Sequence, residues 1–259
     1  MTAREALAEA ERRLAAAGVD TPRVDAELLV SHALGISRTQ LHADLDRELD
    51  GVEPLLHRRE QREPLAYVLG KWGFRRLTLK TDERALVPRP ETEVVVDRCL
   101  TLLDGLTAPR VLDLGVGSGA IALALKDERP DAVVTAVDES GVALELAHEN
   151  AARLGLDVEI RRGGIEAAAA GWDLVVSNPP YVDSLDGLQP ELWYEPEYAL
   201  VGSGLHERIA EAARTRFLVL EVGAGQADRV AAALEAFGYR EIRVTDDLAG
   251  IPRVVEGVR

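Results

Sequence analysis

A chain of 259 residues that is 47% hydrophobic has apolar material for one large core or two unequal ones, and its net charge of −15 argues against an extended DNA or RNA footprint, which needs Lys and Arg against phosphates. The acidity is uneven: residues 1–80 balance 13 Lys/Arg against 13 Asp/Glu, whereas residues 81–259 carry 17 against 32. Uncharged stretches fall short of the ~18 to 20 apolar residues that cross a bilayer, the N-terminus opens on charged Arg4, Glu5, Glu9 and Glu11, Cys99 stands alone, and the five His repeat no metal-ligand spacing; a cytoplasmic protein with no membrane contact, disulfide or metal is expected.

Taken in chain order, the first ~70 residues read as short helices joined by tight turns. Leu7 and Leu14 mark a first helix that stops at Gly18; Thr21 caps a second with Pro22 at its first position, and Gly35 ends it. Ser37 caps a third, and a fourth is expected from Glu53 to Leu69, ending at Gly70. Within and after this region Arg58, Arg59, Arg62, Lys71, Arg75, Arg76 and Lys80 form a candidate basic patch, for which a solvated face is the simpler reading. Apolar alternation between Trp72 and Val87, then Pro88-Arg89-Pro90, marks a boundary. From Arg110 onward short apolar runs alternate with amphipathic helices: strands at Val111–Leu114, Val133–Val137, Val158–Ile160, Leu174–Ser177 and Phe217–Val222, and helices at Ala120–Asp127, Val142–Leu154 and Gln226–Phe237. Two further β-like runs, Ile242–Thr245 and Val254–Val258, close the chain. This alternation predicts an α/β fold with a mostly parallel sheet covered by helices on both faces. The expected division is a helical domain over 1–72, a linker over 73–93 containing a β-like hairpin and the Pro-rich segment, and the α/β domain over 94–259.

Asp113, Leu114, Gly115, Val116, Gly117, Ser118 and Gly119 stand where a strand ends and a helix begins. Glycines there let the backbone turn sharply and approach a ligand at the carboxyl edge of the sheet. A dinucleotide site would space its glycines Gly-x-Gly-x-x-Gly around a pyrophosphate; the Gly-x-Gly-x-Gly found here fits a ligand with an amino acid moiety and no phosphate. Asp138 ends the next strand, where a carboxylate can accept both hydroxyl hydrogens of a ribose. Together they predict an adenosine-containing cofactor.

The next motif, Asn178-Pro179-Pro180-Tyr181, follows the apolar run Asp173–Ser177. Two prolines fix the loop, so the Asn178 side-chain oxygen and the Pro179 carbonyl are presented in a defined geometry. They offer acceptors and no base. An amide or aromatic amino nitrogen is a poor nucleophile because its lone pair is delocalised; acceptors on its two hydrogens favour the pyramidal form that attacks an electrophilic methyl group, while Tyr181 gives a flat face for stacking. Alignment with the methyl donor then carries much of the rate.

These motifs, with Glu63-Pro64-Leu65-Ala66-Tyr67, Pro88-Arg89-Pro90-Glu91-Thr92-Glu93, Tyr194-Glu195-Pro196, Leu220-Glu221-Val222-Gly223 with Gln226, and Asp247-Leu248-Ala249-Gly250, give a chain that resembles HemK-type protein-(glutamine-N5) methyltransferases over nearly its whole length. The resemblance implies a seven-stranded class I S-adenosylmethionine-dependent methyltransferase fold preceded by a small helical domain that helps hold the substrate. The implied substrate is the glutamine of the Gly-Gly-Gln motif in class I peptide chain release factors, methylated on its side-chain amide nitrogen, with S-adenosyl-L-methionine as cofactor, by an enzyme expected to be a monomer without direct nucleic acid contact. Carried over by position, Asp113, Gly115, Val116, Gly117, Ser118, Gly119, Asp138 and Ile165 would hold the cofactor, with Asn178 beside them. Asn178, Pro179, Pro180 and Tyr181 would bind the target glutamine, with Asn178, Pro179 and Tyr181 acting in catalysis. Two positions depart from the family: Gly164 stands where an Asp suited to the adenine amino group is usual, and Arg214-Thr215-Arg216 replaces a Gly-rich turn. Alternatives with the same loop are a ribosomal protein glutamine or a nucleic acid amino group as target; Gly164 also motivates a cofactor-binding adaptor with weakened catalysis.

Overall fold

The computed structural model describes residues 1–259. They divide into two compact units, Met1–Lys71 with Leu188–Tyr194, and Trp72–Gly187 with Glu195–Arg259. No helix in either is long and apolar enough to cross a membrane.

The first unit packs α1 (Ala3–Ala16), α2 (Pro22–Leu34), α3 (Arg38–Ala43), α4 (Glu53–Glu60) and α5 (Leu65–Leu69) around Leu7, Leu14, Leu29, Leu41, Leu56 and Val68. Each such Leu contributes roughly 1.5–3 kcal/mol by leaving water. Capping boxes start α1 (Thr2 with Glu5) and α3 (Ser37 with Gln40). Thr21 stands at the start of α2, but its hydroxyl donates to Asp25 Oδ1 at 2.8 Å and caps no backbone N–H. The single helix expected over 53–69 is two: Arg62 takes a left-handed φ of 66°, and Pro64 has no N–H with which to continue the ladder. The break serves this unit's polar centre, where buried Arg59 bonds both Asp25 (2.7 Å) and Glu191 (2.9 Å), and Arg62 grips Glu191 through a second pair of nitrogens.

The second unit opens on the hairpin β1 (Lys71–Phe74) and β2 (Leu77–Lys80); Phe74, Leu77 and Leu79 enter its main core, so residues 73–93 lie within this unit. Then come α6 (Thr92–Leu102), β3 (Arg110–Leu114), α7 (Ala120–Glu128), β4 (Val133–Asp138), α8 (Gly141–Leu154), β5 (Glu159–Arg162) and β6 (Trp172–Ser177). The chain continues through α9 (Glu197–Leu200), α10 (Leu205–Ala212), β7 (Thr215–Glu221), α11 (Ala227–Ala236), β8 (Arg240–Asp246) and β9 (Pro252–Val258). Helices α9 and α10 were not among the elements expected from sequence. The seven-stranded sheet runs β5-β4-β3-β6-β7-β9-β8, with β3 to β7 parallel and β9 antiparallel to both β7 and β8.

Alternation along the strands fills both faces. Val111, Leu174, Val176, Phe217 and Val219 pack on the face that also buries residues of α6, α7 and α8, while Leu112, Val175, Leu218 and Leu220 pack with residues of α10 and α11. Such two-sided burial explains the continuous apolar runs of these strands. The register then sets the site. Leu114 pairs with both Val137 and Ser177, so the chain leaves β3, β4 and β6 at one level, at the carboxyl edge where the strand order reverses. The departure at 214–216 is a direct connection, since α10 ends at Ala212 and β7 begins at Thr215.

Candidate active site

Gly115–Gly119, Asp138 and Asn178 therefore emerge side by side. Gly115, Gly117 and Gly119 all have positive φ (85°, 52° and 90°), a conformation costly for other residues, and a Cβ on Gly119 would lie 2.8 Å from Leu123 Cδ1. The N–H groups of Gly115 and Val116 both donate to the Val137 carbonyl at 2.9 and 3.0 Å, tying the loop to β4.

Asp138 is half-buried and already anchored: Oδ2 accepts from Gly117 N at 3.0 Å and Oδ1 from Ser140 N at 2.9 Å. Each oxygen keeps a further lone pair, as a ribose diol would need. A cavity of about 550 Å³ brings together Gly115, Val116, Gly117, Ser118, Asp138, Ile165, Asn178, Pro179 and Pro180, all singled out from sequence. Its volume lies within the usual range for cofactor sites, and the side-chain-free loop beside the anchored carboxylate fits an adenosine carrying an amino acid arm. Gly119 closes the same loop without lining the cavity.

Asp113 also sits outside the cavity wall. It is buried beneath the loop, with Oδ2 accepting from Ala122 N of α7 at 3.0 Å and Oδ1 meeting no partner. Burial, offset by the Ala122 bond and reinforced by the nearby charge of Asp138, pushes its carboxyl up to about 8. It supports the loop from behind.

At the end of β6, Ser177 Oγ donates to the Leu114 carbonyl at 2.6 Å and fixes the two strand ends together. Asn178 follows, half-buried, with Nδ2 donating to Thr92 Oγ1 at 3.3 Å; Pro179 is buried. Tyr181 is placed differently from the expected stacking face: its ring lies outside the cavity wall, 6.5 Å from the His206 ring with 23° between planes, and against Gly223. Burial and the charge of Glu221 push its phenol up to about 12. Gln226 bridges this loop to the exit of β7, accepting from Gly223 N at 3.1 Å and donating to the Tyr181 carbonyl at 2.9 Å.

Sequence reasoning missed several residues of this region. Thr92, Glu139 and Tyr198 line the cavity, and the Tyr198 hydroxyl accepts from Ser140 Oγ at 2.9 Å and donates to the Arg84 carbonyl at 2.8 Å. The Pro-Arg-Pro segment is held by Glu195, which is buried and bonds both Val87 N (3.0 Å) and Arg89. Thr92, Arg89 and Glu195 stand in motifs quoted for the resemblance, without a role assigned to each position, whereas Val87, Glu139 and Tyr198 stand in none of them.

A seven-stranded sheet of this order, a glycine loop on its first strand, an acidic end to the second and Asn-Pro-Pro-Tyr after the fourth define a class I S-adenosylmethionine-dependent methyltransferase. Solved structures agree on the fold: the hMettl16 catalytic domain in complex with a 3'UTR hairpin superposes with a TM-score of 0.56 at 13% identity, over 92% of this chain and 80% of that one. A methyltransferase from Pyrococcus furiosus gives 0.50 at 16%, over 70% and 87%. Residues 5–70 match the PrmC N-terminal domain and residues 95–194 the methyltransferase small domain. The release factor glutamine methyltransferase of Deinococcus radiodurans is 42% identical over 100% of this chain and 99% of its own length, and that of Caulobacter vibrioides is 38% identical over 100% and 97%. The chain belongs to the release factor glutamine methyltransferase family.

Proposed function

We propose that this protein transfers a methyl group from S-adenosyl-L-methionine to the side-chain amide nitrogen of the glutamine in the Gly-Gly-Gln motif of class I release factors. The observation that carries the reading is the single cavity in which two acceptor-bearing residues, Asn178 and Pro179, face the glycine loop and the anchored Asp138. When bound, S-adenosylmethionine supplies a methyl group on a positively charged sulfur, an electrophile that needs a nucleophile held in line.

In this reading the Asn178 side-chain oxygen and the Pro179 carbonyl each accept one hydrogen of the substrate carboxamide. That draws the nitrogen lone pair out of conjugation and fixes its direction, so positioning and electrostatics replace general-base catalysis. The nitrogen lone pair would form the bond to the methyl carbon, with the carbon–sulfur electron pair staying on sulfur, and the nitrogen would then release a proton, now acidic, to water. Asp138 and the glycine loop orient the cofactor, and Ile165 packs its adenine. Asp113 acts indirectly, by supporting the loop, and Tyr181 acts through the backbone, its carbonyl held by Gln226 so that the loop presenting Pro179 is fixed.

We assign the helical unit a role in holding the release factor. Six of the seven cations in the candidate basic patch are engaged with carboxylates, Arg58 with Glu63, Arg59 and Arg62 with Glu191, Arg75 with Glu128, Arg76 with Asp127 and Lys80 with Glu149. That pairing and the charge of −15 favour a protein partner over direct nucleic acid contact. We place the reaction in the cytoplasm and carry it out with a monomer.

The test is incubation of the protein with labelled S-adenosylmethionine and, separately, purified release factors, ribosomal proteins and RNA, followed by mass mapping. Label on the Gly-Gly-Gln glutamine is the expected result. Label confined to a ribosomal protein or RNA, or none at all, overturns the reading.

A further inference from the structure

A carboxamide has two nearly isosteric orientations related by a flip, and only one of them points the Asn178 oxygen at a substrate amide. Something must select it. Asn178 donates through Nδ2 to Thr92 Oγ1 at 3.3 Å, and Thr92 Oγ1 donates to Glu221 Oε2 at 2.6 Å. Thr92 opens α6 and is 4% exposed; Glu221 ends β7 and is 1% exposed, so bulk water does not compete for these bonds. An ionised carboxylate only accepts, and a hydroxyl has a single hydrogen. With that hydrogen given to Glu221, Thr92 can only accept from Asn178, and Asn178 must offer it the NH2 end.

We propose that Thr92 and Glu221 are positioning residues which lock the Asn178 amide with its oxygen directed at the methyl-accepting nitrogen, and that this lock is released when Glu221 takes up a proton. The inference deepens the reaction proposed above and rests on that reading of Asn178. Protonated Glu221 carries a hydroxyl that can donate to Thr92; the Thr92 hydrogen is then free to point at Asn178, and both amide orientations find a partner. The carboxyl sits where such a change is accessible. Burial pushes it up to about 7, against the lowering effects of the Thr92 bond, the Arg253 charge and a bond from the Tyr181 hydroxyl, while Glu91 raises it further. His206 faces the same residue through its backbone, with Nε2 2.8 Å from the Glu221 carbonyl oxygen; burial lowers its imidazole below the usual value. The sign follows: the lock holds above about pH 7 and loosens below it.

Two readouts test the lock. In the cofactor-free protein labelled with nitrogen-15, the side-chain amide signals of Asn178, identified by their loss in Asn178→Asp, are expected to shift with a midpoint near pH 7 and to stop shifting in Glu221→Gln. In steady-state assays on a release factor, kcat is expected to rise between pH 6 and 8, by at most about tenfold as set by the ionised fraction, and Glu221→Gln is expected to flatten that rise. Thr92→Ser, which keeps the hydroxyl, should retain both the pH rise and the amide titration. Thr92→Val should lose about tenfold or more in kcat with calorimetric affinity for S-adenosylmethionine unchanged. Asn178 signals that ignore pH, or a pH rise that survives in Glu221→Gln, overturn the lock even where the wild-type enzyme methylates its substrate. Absence of methylation by the wild-type enzyme instead overturns the underlying reading.

Discussion

The wall of the cavity formed by Gly115–Gly119 and Asp138 is held by the backbone, over short stretches of chain. The loop hangs from Val137, and the Asp138 carboxylate is fixed by the N–H groups of Gly117 and Ser140, no more than 21 residues away. The wall formed by Asn178 and Pro179 is held by side chains from far along the sequence, with Thr92 86 residues before Asn178 and 129 before Glu221. The first wall is coded by conformational freedom at glycine and by where strands end. The second is coded by the choice of partner for each polar atom, which only the folded chain brings within reach.

The sharpest way to break this comparison is to remove Asn178. Asn178→Ala takes away an acceptor that matters for the reacting nitrogen and leaves the glycine loop untouched, so kcat should fall by about 100- to 1,000-fold, the range for losing one preorganised hydrogen-bonding group at a reacting centre. Calorimetric affinity for S-adenosylmethionine should stay within a few-fold. A large loss of affinity with modest loss of turnover would mean that the two walls do not divide the work as described.

That division also explains what could be read from the sequence. The seven-stranded sheet was legible because its strands are short apolar runs alternating with amphipathic helices, and the site edge was legible because Gly115, Asp138 and Asn178 each follow such a run. The helix broken at Arg62 was legible only in part: Pro64 is a breaker visible in the sequence, but the left-handed residue is an arginine, bonded to Glu191 more than a hundred residues away. The place of Tyr181 was not legible, because it depends on His206 in a helix that short polar-interrupted sequence did not announce. Thr92 and Glu221 were visible as parts of motifs, yet no spacing rule joins them.

Asp138→Ala probes the opposite wall. It removes the ribose acceptor and leaves the N–H of Gly117 without its bond, and cofactor affinity should weaken by ~1 to 3 kcal/mol, about 5- to 150-fold. The fall should appear in calorimetry with the cofactor alone. Unchanged affinity would remove the ribose assignment and leave the glycine loop as the only fixed point of that wall.

Asp113 tests whether the loop depends on a neutral carboxyl beneath it. Its folded value, raised by burial to about 8, exceeds the ordinary carboxylate value near 4, so its contribution to stability is fully present below about pH 4 and is lost as pH rises towards 8. Asp113→Asn cannot ionise. Its melting temperature relative to wild type should therefore improve by a few degrees between pH 5 and pH 8, whatever the offset at pH 5. A difference that stays constant across that range would show that Asp113 is ionised throughout.

The smallest effect is expected at Gly164, where the family's usual Asp is missing. A Cβ there would collide with Glu139 Oε1 and lie 2.9 Å from Glu166 Oε2, while Gly164 N donates to Glu166 Oε1 at 2.7 Å. The volume of the absent side chain is thus already taken by carboxylates, one of which, Glu139, lines the cavity. Gly164→Asp must push two flexible acids aside and set a third like charge among them, which offsets what a new acceptor for an adenine amino group would add. Affinity for S-adenosylmethionine is expected to change by less than about threefold at physiological salt, a small coupling on the scale of exposed charges. A gain of tenfold or more would mean that the existing carboxylates do not serve the adenine edge, and that this wall is less complete than its backbone bonds imply.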